Sequence, residues 1–110
     1  MQPASPQQRE QVAIEVEVLD GETTVLEAVF ATLVDAEASS EHVDEHGRVS
    51  LITVHVSHAT PKTGAYPLTV TYAVDDEVHI EGARSPLPGQ VVAFDGAGDL
   101  RLELVVHRAQ

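Results

Sequence analysis

The chain has no cysteine and no tryptophan, only four aromatic side chains (two Phe, two Tyr), and a single lysine, Lys62. Without cysteine there is no disulfide framework, no cysteine-bound zinc and no thiol nucleophile. That absence fits a reducing compartment, and the expected location is cytoplasmic. No apolar run approaches the ~20 residues of a membrane-spanning helix. The opening stretch "MQPASPQQREQ" lacks the apolar centre of a signal peptide. Its Pro and Gln content reads as a disordered tail over 1–11, followed by one domain over 12–110.

Positive charge is also scarce. Eighteen Asp and Glu face six Lys and Arg, for a formal net charge of −12. Binding a nucleic acid or an anionic membrane requires clustered cations. Here Arg9, Arg48, Arg84, Arg101 and Arg108 are scattered among acids, so neither partner is expected. The carboxylates are spread along the chain and not gathered in runs, unlike a surface imitating phosphate spacing.

What is present is periodicity. At 110 residues one domain buries roughly two thirds of its unfolded surface and needs no covalent staples. "VAIEVEVL" alternates as a half-buried strand, with Val12, Ile14, Val16 and Val18 on one side and Ala13, Glu15 and Glu17 on the other. In "TTVLEAVFATLVDAEAS" the period changes: Val25, Leu26, Val29, Phe30, Leu33 and Val34 recur in pairs every four residues. This spacing predicts an amphipathic helix from about Thr24 to Ala38, with Thr24 and Glu27 as its capping box and Phe30 at its packed centre. A β-hairpin turning at Asp20-Gly21 is the rival, but strict alternation fails at Val25-Leu26 and Val29-Phe30.

Alternation of period two returns after Arg48. Ile52, Val54 and Val56, then Leu68, Val70, Tyr72 and Val74, then Val78 and Ile80, and finally Leu100, Leu102, Leu104 and Val106 are expected to point inward. "QVVAF" reads as a further short strand, and the short connections make neighbours antiparallel. The predicted fold is α+β: a two-layer sandwich of one helix on a mostly antiparallel sheet of five to six strands, in the order β-α-β-β-β-β-β.

Two short motifs resemble known signatures. His42-x-x-Glu45-His46 has the spacing of the inverted zinc-protease signature, in which two histidines on one helix face hold the metal. Its setting between Ser39-Ser40 and Gly47, with Val43 as the one apolar residue, offers no buried wall, so no metal site is expected. Gln90-Val91-Val92-Ala93-Phe94 resembles the Gln-x-Val-x-Gly loop of the cystatin family, whose strand, helix and four strands match the predicted order. Phe94 takes the place of the bend-forming glycine and the tryptophan of the second loop is missing, so the resemblance implies the fold and not the inhibitory activity.

No catalytic constellation emerges: Ser50, Ser57 and His58 show no triad spacing, no glycine pattern for phosphates occurs, and no cofactor is expected. The strand phases place Glu15, Glu17, Thr53, His55, Ser57, Thr69, Thr71, His79, Glu81, Arg101, Glu103 and His107 on the wet side of the sheet. Within that set, His55, His79, Glu81, Glu103 and His107 are the candidate binding residues. Histidines generally titrate near pH ~6.5, so binding there is expected to respond to pH between about 5.5 and 7.5. The function this implies is a small, acidic, non-enzymatic protein-interaction module (an adaptor, regulator or assembly subunit). It would engage a protein partner or a second copy of itself through the polar face or an edge of the sheet. The alternative is a small-molecule or metal-binding protein, with weak catalysis as an option, using a pocket between helix and sheet or the histidine face.

Overall fold

In the first strand the alternation is realised as expected: Val12, Ile14, Val16 and Val18 are all buried while Glu15 is exposed. The computed structural model describes residues 10–108, and its elements are all strands. They are β1 (Gln11–Asp20), β2 (Thr23–Leu33), β3 (Ala36–Val43), β4 (Val49–Val56), β5 (Leu68–Val74), β6 (Glu77–Arg84), β7 (Val91–Asp95) and β8 (Leu100–Arg108). Of the tail expected over 1–11, residues 1–9 lie outside the described residues, and Gln11 already belongs to β1.

Two four-stranded sheets form, in the orders β2-β1-β8-β7 and β3-β4-β5-β6, and all pairings are antiparallel. One apolar core joins them, with Ile14, Val18, Leu102 and Leu104 from the first sheet and Ile52, Val54, Val70 and Ile80 from the second. Followed in chain order, the strands run round a flattened ring. Ladder hydrogen bonds are missing at two seams, between β2 and β3 and between β6 and β7.

The predicted helix is therefore a correction. Residues 24–38 span β2, the turn at Val34-Asp35 and the start of β3, and the fold is an all-β sandwich of eight strands, not an α+β sandwich of five to six strands and a helix. The physical reason is that β2 is apolar on both faces. Leu26, Ala28 and Phe30 point toward the core, while Val25, Val29 and Leu33 point outward and are 51%, 72% and 37% exposed. Two superposed two-residue periods then look like pairs repeating every four residues. The supposed capping box serves the strand instead: the Thr24 hydroxyl donates to Glu17 Oε2 at 2.6 Å, and Glu27 sits opposite Glu17. Phe30 is half-buried at the margin of the core, not at its centre. The strand–helix–strand order shared with the cystatins goes with the helix.

Backbone geometry fixes the corners. Asp35 adopts φ 60°, its amide donates to Val56 O at 2.6 Å and the Val34 amide donates to Glu10 O at 2.9 Å. These bonds stop β2 and drop the chain into the second sheet within two residues. Asp75 and Asp76, at φ 49° and 67°, supply the two left-handed residues of a tight hairpin turn.

The β6–β7 seam is closed by contact. Phe94 is buried against Gly82, where an added Cβ would lie 2.8 Å from its ring, and the Arg84 guanidinium sits 5.1 Å above that ring. One end of the sandwich is closed by the loop between β4 and β5. Its Tyr66 is fully buried, with its amide donating to Pro86 O at 2.8 Å and its hydroxyl donating to the Glu10 carboxylate.

Burial, and then the hydrogen bond to Glu10, push the Tyr66 phenol above its usual range, with Arg108 opposing. A raised phenol favours the neutral form in the folded state. Its contribution is thus fully present below the unfolded value near ~10 and lost as pH rises through the folded one. Thermal denaturation above about pH 10 should show the parent losing stability with pH more steeply than Tyr66→Phe; parallel slopes for the two proteins would refute this.

Candidate functional site

The outward side chains of the first sheet line up in rows, because antiparallel partners directly opposite each other share a face. One row runs Glu27, Glu17, Glu103, Ala93 across β2, β1, β8 and β7. The next runs Val29, Glu15, Val105, Val91. Opposed side chains on such a face have Cβ atoms about 4.5–5.5 Å apart, and like charges placed so are destabilising. Three glutamates are thus held against one another in a single row. Nearby polar groups relieve them little. His107 Nε2 is 2.9 Å from Glu15 Oε2, Arg101 is paired with Asp95 at 3.3 Å, and Thr24 donates to Glu17. A shallow groove of about 300 Å³ lies on this face, lined by Glu15, Glu17, Glu27 and Glu103 together with Val29, Val91 and Val105. Val29 and Val91 are 72% and 58% exposed.

The five candidate residues are divided by the fold. Glu103 and His107 belong to this face. His55 and Glu81 lie on the outer face of the other sheet, where His55 sits between Glu37 and Thr69 and Glu81 opposite Thr71. His79 is the extra residue at a bulge in β6, 3.5 Å from Glu77 and with its ring 6.3 Å from that of Tyr72. The expected single face carrying three histidines is therefore two faces on opposite sides of the sandwich. No known protein family, curated protein or solved structure matches the chain.

The motif at 42–46 is also rearranged. His42 is in β3 with Nε2 3.0 Å from Ser40 Oγ, while His46 lies in the following turn beside Glu45. With no helix, the two imidazoles share no helical face. Asp44 organises that turn by accepting the amides of Arg48 and His46 at 2.9 and 2.8 Å. The Arg48 amide first, and then that of His46, hold its carboxyl below the usual range. Among the described residues no group of three His, Asp or Glu is placed to hold a metal ion, and no helix is long and apolar enough to cross a membrane.

Sequence reasoning missed Glu27, Val29, Val91 and Val105. Val105 was in the outward phase of "DLRLELVVH" all along, and Glu27 and Val29 were hidden by the helical reading of β2. The signal was the repeat Val25-x-x-x-Val29-x-x-x-Leu33, which is one outward apolar stripe of a strand.

Proposed function

We propose that this protein is a small, acidic, non-enzymatic protein-contact module, acting in the cytoplasm as an adaptor, regulator or assembly subunit. Its docking surface is the outer face of the β2-β1-β8-β7 sheet, and the partner is a cationic, amphipathic protein segment. The observation that carries this reading is the opposed row Glu27, Glu17, Glu103 beside the outward row Val29, Glu15, Val105, Val91, whose Val29 and Val91 are exposed. A partner with alternating basic and apolar side chains neutralises the first row and covers the second. The rigid strands hold both rows in place, so little ordering cost accompanies binding. The interior of the sandwich is filled by core side chains, and the pocket expected between helix and sheet has no place in a fold without the helix.

The test uses a labelled peptide of alternating lysine and valine. Replacing Glu17, Glu27 and Glu103 together by Gln should weaken its binding roughly tenfold, from three partly exposed ion pairs of about 0.2–1 kcal/mol each. The matched triple on the other sheet, Glu37, Glu41 and Glu81 to Gln, removes the same net charge and should leave binding nearly unchanged. The first triple should also raise the melting temperature by relieving the opposed charges. Equal losses from the two triples would reduce the attraction to net charge and sink the assignment of the face.

A further inference from the structure

We infer that the free edge of β2 pairs with β2 of a second copy, antiparallel about a two-fold axis at Val29. This goes beyond the cationic partner on the sheet face, because it uses the strand edge. β2 is 11 residues long, without proline, and its one irregularity is a bulge at Val25 near its start. It bonds to β1 on one side, and among the described residues no backbone hydrogen bond joins its other side to β3. Long edge strands with exposed apolar side chains invite pairing with another chain. The other seam is sealed, by Phe94 on Gly82. Four of the seven exposed large apolar residues among the described residues (Val25, Val29, Leu33 and Val43, against Val78, Leu87 and Val91) lie on β2 and β3, the two strands bordering this unbonded seam.

The occupant follows from the pattern of β2 itself. With Val29 opposite its own symmetry mate, Val25 meets Leu33 and Glu27 meets Ala31, so apolar faces apolar and no two carboxylates are opposed. A register shifted by one pair puts Glu27 against Val29 in one direction and against Leu33 in the other, a carboxylate against an apolar side chain either way. One shifted by two puts Glu27 against its mate, which like-charge repulsion disfavours. The size is also sufficient. A strip along this strand is about 36 Å long and about 20 Å deep over two sheet layers, or roughly 700 Å², close to the ~800 Å² per partner of a standard interface. Pairing about this axis keeps both acidic rows on one face of a continuous eight-stranded sheet.

The chain's lack of cysteine makes the register directly readable. Opposed antiparallel residues have Cα atoms about 4.5–5.5 Å apart, within the reach of a disulfide. Under mild oxidation Val29→Cys should therefore form a covalent dimer nearly completely, and Ala31→Cys, four positions from its own mate, should form little. In analytical ultracentrifugation the parent should sediment as a dimer that tightens with added salt, since each copy carries −12 and screening relieves their repulsion. Binding of the lysine–valine peptide weakens with salt, so the failure of either idea is visible without the other. Val29→Lys, at an exposed position, should remain folded by circular dichroism and become monomeric. A parent that stays monomeric at high concentration and high salt, or Ala31→Cys linking as readily as Val29→Cys, would overturn the inference.

Discussion

Replacing Tyr66 by alanine is expected to cost about 3–5 kcal/mol of folding stability, the range for removing a buried aromatic ring. The side chain belongs to no strand, yet it is fully buried in the common core and tied to Glu10 through its hydroxyl and to Pro86 through its amide. Deleting the ring leaves a cavity at one end of the sandwich, where a loop and not a sheet must collapse to fill it. Guanidinium unfolding read by circular dichroism checks the value. A loss below about 1 kcal/mol would mean that the loop is not the closure of that end.

The second large effect is at Gly82. A valine is intrinsically better than glycine in a strand, by up to about 1 kcal/mol, so strand propensity alone predicts stabilisation. The structure reverses the sign, because an added Cβ lies 2.8 Å from Phe94 Cδ2 and the ring, buried at the seam, has little room to retreat. Gly82→Val should therefore destabilise by about 1–3 kcal/mol, the usual cost of overpacking. Phe94→Leu should recover part of this, so that the double variant loses less than the sum of the singles. Additive losses would show that the two residues do not share one space.

The contrast between β1 and β2 explains what the sequence discloses of such a fold. In β1, β4, β5 and β8 the buried side is apolar and the other carries most of the polar residues. The inward residues Val12 to Val18, Ile52 to Val56, Leu68 to Tyr72 and Leu102 to Val106 follow from alternation, and they are buried. Val78 was expected inward with them, but the bulge in β6 turns it out to 53% exposure. In β2 the outward side is apolar too, and a strand apolar on both faces mimics a helical stripe. The corner at Val34-Asp35 carries no glycine or proline to mark it, so the switch between sheets is invisible in the sequence. The candidate site suffers from the same gap. Alternation reports whether a side chain points in or out, not which sheet it belongs to. His55 and His107 thus look like neighbours on paper and lie on opposite faces. Glu103 and His107 remain together because both lie on the outward side of β8, while Glu27 joins them only once β2 is recognised as a strand.

The ring order also bears on how the chain reaches its final state during synthesis. Five of the six ladders join strands adjacent in the chain, and the sixth joins β1 to β8. The five can form as hairpins soon after each turn leaves the ribosome, because short loops cost little entropy to close. The sixth, like the β7–β8 hairpin, must wait for Leu100–Arg108, which supplies Leu102, Leu104 and Val106 to the core. Until then β1 has β2 on one side and nothing on the other, β7 has no partner at all, and the apolar interior is open to water. Such late, distant pairing slows folding and lengthens the time in which sticky strands are exposed. The net charge of −12 on every copy opposes the association of such unfinished chains.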